Sequence, residues 1–424
     1  MIYLILKNLQ TQVIQNHLSL TINRGMLELG CKKVDSVEPA PDWLLGENRF
    51  RMDSIFQESP ASVVSLLMLK KRGTFAPNMK DIRTLDLPEL ERTLIEWGEP
   101  KFRARQLYEW LWAKSATDFE AMSNLSKALR SRLKEAFLLT PLHEDKVQHS
   151  ADGTIKSRWI THDGYRIESV LIPVQGDDRY TVCVSTQVGC SLTCKFCATG
   201  RMGRKRNLTA AEIYDQVVLV NRQSLESFGK NLTNVVYMGM GEPLLTYANT
   251  MESIARLTAP LPDGLGMSAR RITVSTAGIA KMIRKLADDG FRSNLALSLH
   301  AADDTKRNEL MPINESNNLA ALMESLEYFY RETKNRISYE YIAFEGFNDG
   351  PEDAAKLVQL CRRKFPVRVN IIEYNPIDGA PFTKSGEERL NAFAAYLARE
   401  GVTVTVRRSR GRDIDAACGQ LANK

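Results

Sequence analysis

Residues 190–197 read CSLTCKFC, and the spacing of the three cysteines in this stretch is the most informative feature of the sequence. Cys190, Cys194 and Cys197 come directly after TVCVSTQ (residues 181–187), which is typical of a buried strand. A structural zinc site needs four ligands. A [4Fe–4S] cluster held by three thiolates keeps one iron open to a small molecule. The spacing favours such a cluster, and a zinc site with a distant fourth ligand or three unliganded cysteines are the alternatives.

Strands and helices alternate along the chain after this motif. Six more stretches resemble strands, and they are NVVYMGM, RITVSTAG, NLALSLHA, SYEYIAF, VRVNIIEY and VTVTVRR. Between them lie stretches with apolar residues at helical spacing. Thr209 and Glu212 form a capping box at the start of one helix, and Ser385 and Glu388 form a second box farther on. Such alternation indicates a parallel sheet. We therefore predict an α/β fold built as a partial (β/α)6 barrel.

The rest of the chain divides into segments of different character. Residues 1–80 show no sustained periodicity, and we predict a poorly defined amino-terminal extension there. Residues 86–140 have apolar residues at helical spacing and a basic surface, which predicts a small helical accessory domain. A hairpin turned at Asp163 and Gly164 leads into the predicted catalytic domain, residues 150–424.

The composition is that of a globular protein, with 424 residues, 25% charged residues and a formal net charge of +6. Seven cysteines, three of them clustered, do not resemble a disulfide framework. No apolar run reaches the length of about 20 residues that a membrane span needs. We therefore expect a cytoplasmic protein without a membrane segment. Cys361, on an apolar helical stripe, and Cys31, in the extension, are interpreted as inert.

Polar or glycine-rich stretches follow several of the predicted strands. They are MGMGEP (residues 238–243), Ser275, Ser298-Leu299-His300 and Asn375-Pro376. Because the carboxyl ends of the strands in such folds meet at one mouth, we expect these residues to share one site with the cysteines. Gly239 and Gly241 would let the backbone approach a ligand, and Glu242 could accept hydrogen bonds from an ammonium group. A plain turn is the alternative for this stretch.

Three longer stretches, CVSTQVGCSLTCKFCATG, NVVYMGMGEPLL and RGRDIDAACGQLA, together resemble the RlmN/Cfr family of RNA adenosine methyltransferases over roughly residues 86–421. The resemblance implies a radical S-adenosylmethionine (SAM) barrel. In it Cys190, Cys194 and Cys197 hold a [4Fe–4S] cluster, and the open iron binds the amino and carboxylate groups of SAM. The helical module at residues 86–140 would be the family's RNA-binding accessory domain.

The resemblance also assigns residues to SAM. The positions that match are Gly241, Glu242, Ser275, Ser298, the backbone of Leu299, His300 and Asn375. Taken one by one, each of these could be an ordinary loop residue, and His300 could be a structural histidine with its hydrogen bonds satisfied.

Carbon 2 of adenine has no lone pair, so it cannot attack the methyl group of SAM directly. The family's chemistry places the methyl first on a protein cysteine and uses a second SAM to generate a radical. By resemblance, Cys418 carries the methyl and Cys183 resolves the protein–RNA adduct, leaving a disulfide with Cys418. Glu168 matches the proposed proton acceptor. A buried strand cysteine and a strand-face glutamate are the plain readings of Cys183 and Glu168.

Two basic runs border the predicted mouth, and their cations are Arg201, Arg204, Lys205 and Arg206, and Arg407, Arg408, Arg410 and Arg412. We interpret them as RNA contacts rather than as a merely solvated surface. By resemblance the partners would be 23S rRNA, tRNA as a second substrate, and an electron donor such as flavodoxin or ferredoxin. We expect a monomer.

Two other functions are compatible with parts of the sequence. A Cfr-type enzyme would methylate carbon 8 of the ribosomal adenosine with the same cysteines, so these motifs do not separate it from carbon-2 methylation. A non-enzymatic iron–sulfur RNA-binding protein is the alternative from another class, and it leaves the positions of Cys418 and Cys183 unexplained. Similarity over the full length favours the carbon-2 enzyme.

Overall fold

The chain divides into two compact units, Met1–Phe75 and Ala76–Lys424. A computed structural model describes residues 19–23, 26–30, 79–174 and 176–423. In the first unit, β1 (Ser19–Asn23) pairs with β2 (Met26–Gly30) as an antiparallel hairpin. Most of the predicted extension over residues 1–80 therefore lies outside the described residues. The second unit contains every residue assigned above to a site.

A ten-stranded sheet forms the centre of the second unit. The strands of this unit are β3 (His143–His149), β4 (Ile155–Ile160), β5 (Arg166–Val174), β6 (Arg179–Cys183), β7 (Gln187–Val188), β8 (Arg206–Asn207), β9 (Asn234–Tyr237), β10 (Ile272–Thr276), β11 (Asn294–Ser298), β12 (Ile337–Ala343), β13 (Val367–Glu373) and β14 (Thr403–Arg407). Strands β3 to β6 are antiparallel neighbours, and β6 then pairs in parallel with β9. From β9 to β14 the order in the sheet follows the chain, and every pair is parallel.

The sheet confirms the predicted fold class. The seven predicted strands are the parallel strands β6 and β9 to β14, with a helical connection after each of the first six. In the described part of the chain the outermost strands β3 and β14 pair with only one neighbour each, so the barrel is partial. The predicted hairpin turn is also present between β4 and β5. Gly164 has φ +82°, a left-handed conformation that glycine adopts without strain.

The helices of this unit are α1 (Leu87–Glu96), α2 (Phe102–Trp112), α3 (Lys127–Ala136), α4 (Ala198–Arg201), α5 (Ala210–Phe228), α6 (Tyr247–Thr258), α7 (Ala280–Asp288), α8 (Asp304–Leu310), α9 (Leu319–Thr333), α10 (Pro351–Cys361) and α11 (Glu387–Arg399). Helices α1 to α3 lie in the region predicted to be helical. Among the described residues, no helix is long and apolar enough to cross a bilayer.

One of the two predicted capping boxes is confirmed. At α5, the Thr209 hydroxyl accepts a hydrogen bond from the Glu212 amide (3.1 Å), and the Glu212 carboxylate accepts one from the Thr209 amide (2.9 Å). The second prediction is wrong, because α11 begins after Gly386 without a side-chain cap. The hydroxyl of Ser385 instead donates to the buried carboxylate of Asp349 at 2.8 Å. A hydrogen bond from a hydroxyl to a charged carboxylate is stronger than the bond that the same hydroxyl would accept from a backbone amide at a helix cap.

The helical module packs on the barrel through an aromatic contact and a buried ion pair. The rings of Trp112 on α2 and Tyr214 on α5 meet edge to face at 5.2 Å. Beside them, Arg83 donates to Asp215 of α5 at 2.7 Å and pairs with Asp81 at 3.2 Å. The apolar core continues from these helices into the barrel. The module and the barrel therefore share one core.

Loss of the buried ion pair should destabilise the protein markedly. Asp215→Ala leaves the Arg83 guanidinium buried with Asp81 as its remaining carboxylate. Removal of one partner of a buried pair costs about 3–5 kcal/mol, and because Asp81 remains we expect about 3 kcal/mol from chemical denaturation. The control is Glu352→Ala, which removes an exposed partner of Lys356 and should leave the denaturation midpoint unchanged. Equal effects of the two substitutions would contradict the assignment.

Candidate active site

The three cysteines of the motif lie on the segment between β7 and α4 and line one cavity. Burial raises the pKa of the Cys190 thiol to about 11, and it raises the pKa of Cys194 well above its ordinary value. Each neighbouring thiol adds to the effect. Bound metal would offset it, because coordination stabilises the thiolate form. The chemistry of these donors therefore fits a group that binds thiolates.

The separation of the sulfur atoms favours a cluster over a single ion. Tetrahedral zinc has Zn–S bonds of about 2.3 Å, which places its sulfur ligands about 3.8 Å apart. Among the described residues, no three cysteine sulfurs lie within 4.8 Å of one another. A [4Fe–4S] cluster holds its thiolates on different irons and so spaces them more widely. The arrangement of Cys190, Cys194 and Cys197 therefore fits the cluster better than it fits zinc.

The glycines after β9 are needed for contact between two segments of the chain. A Cβ atom at Gly239 would lie 2.7 Å from the carbonyl oxygen of Val184, and one at Gly241 would lie 2.5 Å from Cβ of Gln187. Gly241 also has φ +97°, which disfavours any side chain. These glycines let the β9 loop pack against the segment that leads to the cysteines. Close approach of a ligand was the predicted reason for glycine at these two positions. The packing of the two segments is a second, structural reason.

Glu242 is a buried carboxylate on the wall of the cysteine cavity. Burial raises its pKa to about 6, although the amides of Ala277 (2.8 Å) and Leu244 (3.0 Å) donate to the carboxylate. A cationic group in the cavity would favour the charged form. This is consistent with the predicted contact to an ammonium group.

The ends of β10 and β11 add polar side chains to the same cavity. The hydroxyl oxygens of Ser275 and Ser298 are 3.2 Å apart, and both side chains line the cavity. His300 also lines it and has φ +55°, an unusual conformation for this residue type. Its Nδ1 accepts a hydrogen bond from the Ile342 amide at 3.1 Å, and burial lowers the pKa of its imidazole to about 3. The ring is therefore neutral, and Nε2 carries the proton.

Two residues assigned to SAM by resemblance do not line this cavity. The Leu299 amide donates to the Glu340 carbonyl, and the Leu299 carbonyl accepts from Arg307 at 3.0 Å. Its backbone is thus already paired within the protein. The side-chain amide of Asn375 donates a hydrogen bond to the backbone carbonyl of Cys418 at 3.4 Å. The described structure gives both residues a supporting position.

Cys418 connects the cysteine cavity to a second cavity that also contains Cys183. Cys183 is the last residue of β6 and is buried, whereas the accessible surface of Cys418 opens into both cavities. Burial raises the pKa of Cys183 to about 12, and the neighbouring Cys418 thiol makes a smaller contribution to this increase. Burial also raises the pKa of Cys418, and the Arg407 guanidinium opposes this increase. The two cysteines that were singled out from distant parts of the sequence therefore meet in space.

The carboxyl-terminal tail that carries Cys418 is held by the segment around the cysteines. The Ala198 amide donates to the Gly419 carbonyl at 2.7 Å, and the Thr199 hydroxyl donates to the Leu421 carbonyl at 2.6 Å. Both donors belong to α4, directly after Cys197. These bonds fix the end of the chain beside the predicted cluster site.

Glu168 lies under the same tail rather than in either cavity. Its side chain is fully buried, and Oε2 accepts hydrogen bonds from the amides of Ala422 (3.0 Å) and Asn423 (3.1 Å). The ammonium of Lys156, also buried, is 3.6 Å from Oε1. In this conformation the carboxylate anchors the tail, and it does not face the space between the two thiols.

Comparison with known proteins agrees with this geometry. The model of the ribosomal RNA large subunit methyltransferase N-terminal domain matches residues 80–139, and the radical SAM superfamily model matches residues 184–358. A Cytophaga hutchinsonii protein named "Probable dual-specificity RNA methyltransferase RlmN" is 53% identical over 345 residues, which cover 81% of this chain and 93% of that protein. The chain belongs to the RlmN family of radical SAM RNA methyltransferases. Membership confirms the family resemblance that was inferred from the sequence.

Other members of the RlmN family and a solved structure agree with this. A "Dual-specificity RNA methyltransferase RlmN" of an Anaeromyxobacter species is 45% identical over 346 residues, covering 81% of this chain and 90% of the relative. The crystal structure of a radical SAM methyltransferase from Sphaerobacter thermophilus superposes with a TM-score of 0.76 at 43% identity, covering 82% of this chain and all of that one. This RlmN-family chain is therefore a radical SAM RNA methyltransferase, and its superfamily implies a [4Fe–4S] cluster and SAM.

Two residues that the sequence analysis did not single out, Arg307 and Thr199, shape the site of this RlmN-family protein, and Arg407 has a role there besides its predicted contact with RNA. Arg307 is fully buried and donates to the carbonyls of Ala277, Ser298 and Leu299, so it ties together the ends of β10 and β11. Thr199 holds the tail, and Arg407 is the cation that acts on both Cys183 and Cys418. The role of a buried arginine is visible only from its contacts in the folded structure. In the sequence, Arg407 is simply one cation of a basic run.

Several cations of the two basic runs are compensated within this RlmN-family protein. Arg206 donates to both Asp163 (2.6 Å) and Glu212 (2.8 Å). Arg407 pairs with Glu340 at 3.1 Å. The buried carboxylate of Glu373 pairs with Arg408 at 2.9 Å and also with Arg412. Contact of these cations with RNA stays a prediction, and part of their role is to position the tail.

Thr199→Val should loosen the tail without disturbing the barrel. The substitution keeps the shape of the side chain but leaves the Leu421 carbonyl without its donor, which costs about 1 kcal/mol. We expect amide hydrogen exchange over the tail to become about fivefold faster. Thr258→Val, which removes a hydroxyl bonded to its own helix at Ile254, is the matched control and should leave tail exchange unchanged. Equal tail exchange in both variants would contradict the tether.

Proposed function

We propose that this chain methylates carbon 2 of an adenosine in 23S rRNA, and of an adenosine in tRNA, through a methylated Cys418. One observation supports this above all: thiols from opposite ends of the catalytic domain, Cys183 and Cys418, line one cavity beside the three-cysteine loop. A simple methyltransferase needs neither thiol. The relatives' names, which describe dual-specificity RNA methyltransferases, support RNA as the substrate.

Cys190, Cys194 and Cys197 would hold the [4Fe–4S] cluster, which supplies the electron for reductive cleavage of SAM. Around the remaining space of that cavity stand the groups proposed to bind SAM, namely Gly241, Glu242, Ser275, Ser298 and His300. Glu242 offers an anion for the SAM ammonium group, and the two hydroxyls offer partners for ribose oxygens. Leu299 and Asn375 do not line the cavity and would help to position the residues that do.

Cys418 would act twice. As a thiolate it displaces S-adenosylhomocysteine from one SAM, so that its sulfur gains the methyl carbon. After loss of a hydrogen atom to the radical derived from a second SAM, that carbon would bond to carbon 2 of adenine. The resulting ring radical would then lose one electron, which the oxidised cluster would accept, and the proton of carbon 2, which a base would accept. The Cys183 thiolate would then attack the Cys418 sulfur, so that the S–S bond forms and the S–C bond breaks. The electron pair of the S–C bond would stay on the released carbon, which takes up a proton and becomes the methyl group on adenine. Arg407, close to both thiols, favours their deprotonated forms.

Glu168 could serve as the predicted base only after the tail moves. Its Oε2 is occupied by the amides of Ala422 and Asn423 in the present conformation. Val170 on β5 pairs with Cys183, and Glu168, two residues before Val170, lies on the same face of the sheet. Departure of the two amides would therefore expose the Glu168 carboxylate on the sheet face that carries Cys183. The proposed proton transfer therefore requires the tail to rearrange when RNA is bound.

Substrate RNA and an electron donor are the partners proposed for this enzyme. Arg204, Lys205 and Arg410 border the two cavities or the cysteine loop and would contact RNA phosphates, together with the helical module. A small electron-transfer protein such as flavodoxin or ferredoxin would reduce the cluster of a monomeric enzyme, which would consume two SAM molecules per methyl group transferred. Carbon 8 is the alternative target, and the thiol geometry is the same for both.

Substitution of the two thiols separates their roles. Cys183→Ala should still form the bond between Cys418 and adenine, and the adduct should then accumulate because no thiol resolves it. We expect a protein–RNA band on denaturing gels with Cys183→Ala, and no band with Cys418→Ala or with the double variant. Mass spectrometry of digested RNA from the unsubstituted enzyme should show 2-methyladenosine.

Cys361→Ala is the matched control, since this cysteine lies on α10 away from both cavities, and it should turn over normally. Normal turnover by Cys183→Ala would refute the resolving role. A product methylated at carbon 8 would instead refute the proposed position while keeping the thiol chemistry.

The iron content tests the metal site separately. Protein reconstituted with iron and sulfide without oxygen should carry about four irons per chain. Cys194→Ser should remove most of this iron, because a serine hydroxyl is a poor ligand for it, whereas Cys361→Ser should retain it. Stoichiometric zinc in place of iron would contradict the proposed cluster.

A further inference from the structure

The amino-terminal ends of the barrel strands form an open basic groove on the side opposite to the cysteine cavities. Two adjoining clefts of about 590 Å³ each run across the starts of β10 to β14. Four arginines line them, Arg270, Arg292, Arg336 and Arg368, and we name this surface the amino-terminal groove. Each arginine precedes or begins a different one of four neighbouring strands, β10 to β13.

No described residue compensates the charges of the four arginines in this groove. All four arginines are exposed, and none of their side chains makes an ion pair or hydrogen bond with another described residue. Lys334 adds a fifth cation. The single carboxylate among the lining residues, Glu332, pairs with Arg331 at 2.8 Å. By contrast, Arg206, Arg407 and Arg408 near the cysteine cavities are all paired with carboxylates.

The fold itself does not need these guanidinium groups. Backbone atoms make the local hydrogen bonds, as when the Arg336 carbonyl accepts from the Leu295 amide at 3.0 Å. Neighbouring strands are about 4.8 Å apart, so the four arginines form a row of about 15 Å. Like charges in such a row repel one another, which weakens the folded state. A polyanion with regularly spaced charges would relieve this repulsion.

We propose that the amino-terminal groove binds the phosphate backbone of a second segment of folded RNA. This rests on the proposed RNA substrate and extends it to a surface away from the reacting adenosine. The seven residues of β12 span about 23 Å, so the groove lies a full strand length from the mouth. A segment other than the one that carries the target adenosine must therefore occupy it.

Guanidinium groups favour RNA over a protein as the occupant. Arginine forms paired hydrogen bonds with phosphate oxygens, and four of the five cations are arginines. An acidic redox protein bound in the groove would be separated from the cysteine cavity by the length of the sheet. It would therefore be poorly placed to reduce a cluster held there.

The test uses the full chain with two probes. One is a fully paired RNA duplex that is longer than the protein, and the other is a short single-stranded oligonucleotide with one adenosine. The groove variant combines Arg270→Gln, Arg292→Gln and Arg336→Gln. The control variant, Arg222→Gln with Lys281→Gln and Arg399→Gln, removes three exposed cations from separate helices outside the groove. Binding is measured by fluorescence anisotropy over a range of salt concentrations.

We expect the groove variant to bind the duplex at least tenfold more weakly at low salt. The slope of log affinity against log salt should fall by about 2 to 3, since each lost phosphate contact removes about 0.9 released counterions. Binding of the oligonucleotide and cleavage of SAM should not change, and the control variant should behave like the unsubstituted protein. The single reversal Arg292→Glu should weaken duplex binding in the same direction.

Three results would overturn the proposal. They are an unchanged salt slope in the groove variant, an equal loss in the control variant, and a defect confined to reduction by an acidic redox protein. The outcome is distinguishable from failure of the proposed function. If the unsubstituted enzyme binds the duplex through the groove but methylates no adenosine, the groove stands and the proposed function fails.

Discussion

Two hydrogen bonds hold the end of the chain against the loop that follows its first barrel strand. The Ala198 amide and the Thr199 hydroxyl donate to the carbonyls of Gly419 and Leu421. If the tail did not return, Cys418 would follow β14, at the edge of the ten-stranded sheet that is far from β6 and Cys183. Because the barrel is partial, only this return of the tail brings the two thiols into one cavity. The proposed thiol chemistry depends on this return of the tail.

Buried carboxylates make that return possible. Glu340 and Glu373, on β12 and β13, pair with the arginines that lead into the tail, and Glu168 on β5 accepts the last backbone amides. A buried carboxylate without partners would be costly, so each one fixes the position of the groups that compensate it. The basic run before Cys418 is therefore largely structural. The tail is thus held mainly by polar contacts, which is compatible with the proposed reaction of Cys418 with more than one partner.

The two ends of the barrel consequently differ in their electrostatics. Near the cysteine cavities Arg407 and Arg408 are paired with the buried carboxylates of Glu340 and Glu373, and these pairs help to position the tail. At the amino-terminal groove the arginines have no such partners among the residues that the structure describes. Net charge alone does not reveal this division, since it counts paired and unpaired cations equally. An enzyme acting on a large polyanion would use the two ends for different tasks, chemistry at one and anchoring at the other.

The sequence by itself determined the parallel order of the strands, the cysteine loop and the family, because periodicity and motif spacing are local properties. It also placed Glu242, Ser275, Ser298 and His300 at strand ends, and parallel strands must bring such ends together. Only the tertiary structure decided that Ser385 bonds Asp349 and that Glu168 anchors the tail. It also revealed the roles of Arg307 and Arg407. These roles depend on partners that are remote in the chain. A buried polar group needs a hydrogen-bond partner, and only the folded structure shows which distant atom provides it.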